Sequence, residues 1–252
     1  MSTLLHTLIR RLPPIKRLII ERDYLRVVAK ASGSAYEAPL AQAIAQGKHR
    51  EAIGGRWEEL GELQFSYLCR HGLKPNHSFL DIGCGSLRGG VKFIGYLEPG
   101  NYWGIDNSAA LLEAGWSVEL PSLDLQRKQP HAQLVCLTDF EFTSLAHLFD
   151  YALAQSVFTH LNLNKIRLCL TRLAPAMKTG GTFLATFLPA PANHPIDQPI
   201  KRMNITSYGH RDPFHYGFED FEHVVRGLPW TVQNLGPWDH PANTEMLEFK
   251  KT

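Results

Sequence analysis

The chain has 252 residues, 44% of them apolar and 20% charged, an ordinary globular composition with length for one large domain plus an appended segment. A formal net charge of +2 is too small to make nucleic acid the main partner. No apolar run is long enough to span a bilayer, and the N-terminus lacks a signal peptide's uninterrupted apolar core, so a cytoplasmic protein is expected. Cys69, Cys84, Cys136 and Cys169 are widely spaced in apolar surroundings, which reads as reduced, mostly buried thiols.

Taken in order, Met1 to Lys30 carries Arg10, Arg11, Lys16, Arg17, Arg22, Arg26 and Lys30 against Glu21 and Asp23. Leu18, Ile19, Leu25 and Val28 lie between the basic residues, as in an amphipathic helix interrupted early by Pro13 and Pro14. Such a helix either lies on an anionic membrane surface or packs on its own domain or a second copy; the second reading is favoured. Ala31 to Ala38 reads as a linker, so residues 1–55 are expected to be a helical extension and residues 56–252 the main domain. A helix over Arg56 to His71 places Trp57, Leu60, Leu63, Tyr67 and Leu68 near one face. Glu62 and Gln64 on it are close enough to the next segment to reach over a ligand.

That segment, Phe79 to Gly90, reads FLDIGCGSLRGG. An apolar run ends in Asp81, glycines follow at positions 83, 85 and 89, and a helix-compatible stretch begins after Arg88. This pattern predicts a buried strand, a bare turn against which a ligand lies, and a helix start that favours an anionic group. Cys84 fits inside the turn because its side chain is small. Tyr102 to Asp106 then forms a second strand ending in an acid, at the interval where a carboxylate meets the hydroxyls of a ribose. Strands are expected at Gln133–Leu137, Tyr151–Ala154 and Thr182–Leu188, with a helix over Asn164 to Ala174. Strands alternating with helices imply a parallel sheet covered on both faces, binding its ligand outside the strands' carboxyl ends. Residues 189–217 break the pattern with prolines and polar side chains, and a loop of that length points to substrate binding. A helix over Phe218 to Arg226 and strands at Thr231–Leu235 and Met246–Lys250 close the chain.

The spacing Gly83-x-Gly85-x-x-x-Gly89 misses the dinucleotide fingerprint by one residue, which disfavours NAD and a nicotinamide oxidoreductase. Here the chain resembles the class I S-adenosylmethionine-dependent methyltransferases. DIGCG is similar to that family's first motif, GID to its acidic second-strand motif, TDF to its adenine contact, and AQSVFTHL to the segment after its fourth strand. The resemblance covers Trp57 to the C-terminus. It implies an α/β, Rossmann-like doubly wound seven-stranded sheet, mostly parallel with the last strand antiparallel, and S-adenosyl-L-methionine as cofactor. By that likeness Gly83 and Gly85 pass under the methionine part and Asp106 holds the ribose hydroxyls. Asp139 and the Phe140 backbone meet the adenine, while Asp81 and Gln155 lie near the amino-acid end. Cys84, Asn107 beside Asp106 and Ser156 beside Gln155 complete the set, and the charge of Arg88 suits the cofactor carboxylate.

The Asn/Asp-Pro-Pro-Phe/Tyr signature of family members that methylate amides or bases is absent; Gln155-Ser156-Val157-Phe158 stands there. The stretches HRDPFHYGFEDF and WDHPANTEML resemble those in bacterial methyltransferases of small molecules and saccharides, which implies a hydroxyl acceptor of that kind. A nitrogen or carbon acceptor, and a non-catalytic cofactor-binding protein docking a partner, are the alternatives. A hydroxyl acceptor needs a base near neutral pKa. His160, after the fourth strand, is the first choice, followed by His215 and His240 in loops over the same rim. His210, Asp212 and His215 match no defined metal-site spacing and read as substrate-loop residues, so no metal is expected.

Overall fold

The computed structural model describes residues 37–202 and 205–252. The basic segment Met1 to Lys30 and most of the expected linker lie outside them. Two compact units divide at Gly55 and Arg56. The described part of the first holds helices α1 (Glu37–Ala45) and α2 (His49–Ala52); α1 begins inside the stretch expected to be linker.

The second unit opens with α3 (Trp57–Arg70), which buries Leu60, Gly61, Gln64, Tyr67 and Leu68. That stripe follows the helical period, but it includes a glycine and a glutamine that an apolar pattern does not register. After α3 come β1 (Phe79–Ile82), α4 (Gly90–Tyr96), β2 (Tyr102–Asp106) and α5 (Ala109–Ala114). Then follow β3 (Leu134–Cys136), β4 (Phe149–Ala154), α6 (Leu163–Leu173) and β5 (Met177–Phe187). Ser108 and Asn162 cap α5 and α6, their side chains accepting from the backbone of Leu111 and Lys165, as short polar residues do at helix starts.

The seven strands of the main sheet are ordered β3-β2-β1-β4-β5-β9-β8, where β8 is Trp230–Pro237 and β9 is Glu245–Lys251. β1, β2, β3, β4 and β5 pair in parallel, while β9 runs antiparallel between β5 and β8. All of β1 is buried, as expected of a parallel strand covered on both faces. Successive side chains feed opposite cores. Leu80 and Ile82 pack with Phe158, Ile166, Leu170, Phe183 and Phe249 under α6, whereas Phe79 packs with Leu68, Phe93, Ile94 and Leu184 under α3 and α4.

Between β5 and α7 (Phe218–Val224) lies the insertion expected to be loop. It contains a hairpin of β6 (Ile200–Arg202) and β7 (Ile205–Ser207), and isolated bridges Pro189–Tyr216 and Tyr208–Phe214 join residues within the insertion. Three-residue strands are too short to show an alternation, so the hairpin left no periodic signal in the sequence. Among the cysteines, Cys84 and Cys169 are buried, Cys69 is half-buried and Cys136 is exposed; all four are free. Among the described residues no helix is long and apolar enough to cross a membrane.

Candidate functional site

The connection order reverses between β1 and β4, and the glycine turn leaves β1 at that point, where open α/β sheets bind ligands. Gly83 has φ +73°, and a Cβ there would stand 2.5 Å from Cγ2 of Val157. The turn therefore requires glycine for its conformation and for the close passage of the chain after β4. The N–H groups of Gly83 and Cys84 donate to the Ile105 carbonyl at 2.8 and 3.0 Å. Gly85 donates instead to Oδ2 of Asp106 at 2.9 Å, and Ser108 N–H donates to Oδ1 at 2.8 Å. A carboxylate accepts about four hydrogen bonds, so Asp106 is oriented by the backbone and keeps acceptor capacity on each oxygen. Burial raises its pKa, opposed by the N–H groups of Ser108, Gly85 and Asn107.

Behind the turn, Asp81 is buried and accepts from the Tyr102 hydroxyl at 2.8 Å. Burial pushes its pKa to about 7, with the Tyr102 bond and the charge of Arg88 lowering it and Asp106 raising it. Arg88 is also buried, and burial brings it down to about 10, so it stays cationic at neutral pH. Its Nη2 donates to Oε1 of Gln155 at 3.0 Å. Gln64 on α3 donates to the same oxygen at 3.3 Å. α3 comes this close because position 61 is glycine; a Cβ there would meet the Arg88 carbonyl oxygen at 2.6 Å. Of the two polar residues on α3 expected near the ligand, Gln64 faces inward. Glu62 points away, accepting from Ser66 at 2.6 Å and pairing with Lys92 at 3.0 Å.

The chain after β4 runs past this cluster. Gln155 donates to Oγ of Ser156 at 2.6 Å, and Ser156, held at φ +58°, donates its N–H to Oγ1 of Thr186 at 2.8 Å. His240, in the β8–β9 connection, reaches the cluster from the other side. Its Nε2 lies 3.4 Å from Nε2 of Gln155, and its ring stacks on Trp238 at 5.2 Å. Burial, reinforced by Arg88 and Arg56, brings His240 down to about 4, so it is neutral at physiological pH and a weak base. Its Nδ1 lies 3.2 Å from the Ala242 nitrogen, so each ring nitrogen of His240 faces an N–H donor.

His160 and His215 lie with the insertion. His160 ends a short helical turn after β4, and its Nδ1 is 2.7 Å from Oδ1 of Asp212, both side chains being exposed. His215 is buried, with Nδ1 3.1 Å from Oγ of Ser207. Burial, then His194 and Arg202, lower its pKa. Asp139 is exposed, its carbonyl accepting from Nη1 of Arg172, and Phe140 is held at φ +64°. Asn107 is exposed beside Asp106.

Two partners were not anticipated. Tyr102 could have been found because its strand position pairs beside Phe79 of β1 and a buried phenol needs an acceptor. Asp212 carried no local signal pairing it with His160, fifty-two positions away. A hollow of about 620 Å³ opens at the amino ends of the strands among Ser78, Asn101, His147, Asp150 and Lys178, remote from the glycine turn. A smaller cavity of about 260 Å³ lies between the insertion and the start of α7.

No protein-family model matches the sequence. Among solved structures, the chain is similar to magnesium protoporphyrin IX methyltransferase from Synechocystis PCC 6803 with bound SAM, at TM-score 0.55 and 12% identity, over 77% of this chain and 81% of that one. It is similar to a glycopeptide N-methyltransferase complexed with S-adenosyl-L-homocysteine, at TM-score 0.56 and 14% identity, over 76% and 90%. A SAM-dependent methyltransferase from Clostridium acetobutylicum ATCC 824 gives TM-score 0.56 and 11% identity, over 83% and 98%. The fold is that of the class I methyltransferases.

Proposed function

We propose that this chain is an S-adenosyl-L-methionine-dependent methyltransferase acting on a hydroxyl of a small molecule or saccharide. The observation that carries the cofactor reading is the pinned carboxylate of Asp106 at the lip of a turn where Gly83 leaves no room for a side chain. A ribose diol matches the acceptor capacity left on Asp106. Gly83, Cys84 and Gly85 would pass under the methionine part, and Asn107, Asp139 and Phe140 would border the nucleoside. Asp81 and Arg88, with Gln155 and Ser156, would receive the amino-acid end, opposite charges for opposite charges. Cofactors of this kind bind in this fold in the glycopeptide N-methyltransferase and the porphyrin methyltransferase, whose structures contain S-adenosyl-L-homocysteine and SAM.

When bound, the cofactor supplies a methyl group on a sulfonium, already a good leaving group. The residues of the chain must therefore align the acceptor and take its proton. His160 suits that role because the Nδ1–H donated to Asp212 leaves Nε2 as the accepting nitrogen. His240, neutral at physiological pH, stands beside the Gln155 amide at the edge of the cluster. His215 is a substrate-side residue. Residues 56–252 form the catalytic unit in this reading and residues 1–55 an extension.

Incubation of the protein with methyl-labelled SAM and fractionated cell extract tests it. Label should enter a hydroxyl-bearing product, and His160→Ala should abolish transfer with cofactor affinity retained. Full turnover by that variant contradicts the role of His160; no transfer into any fraction despite cofactor binding favours a non-catalytic binding protein.

A further inference from the structure

The cavity between the insertion and α7 has a definite chemistry. At about 260 Å³ it falls below the roughly 300–1,000 Å³ of sites for drug-sized ligands, so it takes one small ring. Its walls come from the segments that follow β4 and β5, the same segments that carry His160 and Asp212. His215 is its buried polar wall. Arg202 Nη1 donates to Oγ of Ser207 at 2.7 Å, so the Ser207 hydroxyl hydrogen is free to turn toward Nδ1 of His215 at 3.1 Å. The alternative acceptor, the Ile200 carbonyl, is more distant at 3.5 Å. Nε2 of His215 then carries the hydrogen and is a donor. Glu219 and Asp220 also line it as acceptors, Asp220 taking the Gly217 N–H at 3.0 Å on Oδ2, and Asn193 offers both kinds of group.

Apolar surface lies beside these groups. Tyr216 is buried against the cavity, and Ile196, which also lines it, is 67% exposed. Donors, acceptors and an apolar lip around a small volume match a ring with hydroxyls at its rim and C–H groups on its faces.

We infer that this cavity is a subsite for a single sugar ring of the acceptor, held by His215 Nε2–H and the Glu219 and Asp220 carboxylates with Ile196 against the ring face. As an acceptor subsite it rests on the methyltransferase reading; as a sugar-binding cavity it does not.

Saturation-transfer NMR of the full chain with methyl α-D-mannopyranoside and methyl β-D-glucopyranoside tests this, with cyclohexylmethanol as the apolar alcohol of similar size. At least one glycoside should show saturation of its ring protons, in excess of cyclohexylmethanol. Ile196→Trp fills the cavity from an exposed position that carries no core packing, and His215→Phe keeps a ring there but removes its donor. Each should weaken glycoside binding roughly tenfold or more, while the affinity for S-adenosyl-L-homocysteine stays unchanged. No glycoside signal with the wild-type protein, an equal signal from cyclohexylmethanol, or undiminished binding by Ile196→Trp overturns the inference. Glycoside binding by a protein that binds no S-adenosyl-L-homocysteine overturns the acceptor role and leaves the sugar cavity standing.

Discussion

Replacing Gly83 with alanine tests whether the turn is shaped for close approach. Two separable costs arise. At φ +73° an L-residue loses about 1–2 kcal/mol relative to glycine. The new Cβ would also stand 2.5 Å from Cγ2 of Val157, and a β-branched side chain cannot swing clear without leaving its rotamer; such overpacking costs about 1–3 kcal/mol. The expected loss is therefore about 2–5 kcal/mol, measured as a lower urea midpoint at constant slope. Val157→Ala removes the colliding methyl, so in that background Gly83→Ala should cost only the backbone part, about 1–2 kcal/mol. The affinity for S-adenosyl-L-homocysteine should fall in Gly83→Ala, because the turn that the collision with Val157 displaces is the one proposed to meet the ligand, and it should fall less when Val157→Ala relieves the collision. A Gly83→Ala protein within about 0.5 kcal/mol of wild type, or an identical loss with and without Val157, refutes the reasoning.

Three further outcomes follow from the same geometry. Asp106→Asn keeps one acceptor oxygen and turns an N–H₂ toward Gly85 or Ser108, so calorimetry should show cofactor-analogue binding weakened by about 1.5–3 kcal/mol; unchanged affinity would remove Asp106 from the ribose site. Asp81 moves from an ordinary 3.8 to about 7 on folding, so between those pH values the folded chain holds a proton that the unfolded chain has lost. Stability contributed by that proton is complete below about pH 4 and lost as pH rises through 7, up to about 4 kcal/mol. Asp81→Asn should accordingly be more stable than wild type at pH 8 by more than at pH 4; a pH-independent difference would contradict the buried-acid assignment. Asp212→Asn should lower kcat about tenfold or more with unchanged cofactor-analogue affinity, whereas unchanged kcat would reduce the His160–Asp212 pair to a surface contact.

The sheet was legible in the sequence because each parallel strand is a short apolar run bounded by turns, and the strand-one glycines with Asp106 mark the ligand side. The antiparallel direction of the last strand came from the family resemblance, whereas its place between β5 and β8 was not anticipated, since pairing order leaves no periodic trace. Within the site, local chemistry was readable and long-range pairing was not. Gly83 and Asp106 announce themselves through residue type and spacing. Glu62 and Gln64 were both expected to reach over a ligand, and the position of Gln64 between Leu60 and Leu68 on the buried stripe was the sign that only it faces inward. Of the three histidines expected on the rim, with His160 the first choice, burial sets two apart: His240 is neutralised by burial beside Arg88, His215 is enclosed with Ser207, and His160 alone of the three is paired with a carboxylate. The bridges Pro189–Tyr216 and Tyr208–Phe214 that fold the insertion on itself join positions that no periodic pattern encodes.

The most direct measurement is a calorimetric titration of the wild-type chain with S-adenosyl-L-homocysteine, run beside NADH and repeated with Asp106→Ala. The account predicts one-site binding of S-adenosyl-L-homocysteine, none of NADH, and loss of the first in the variant. Binding of NADH with no heat from S-adenosyl-L-homocysteine, or full affinity in Asp106→Ala, would contradict it.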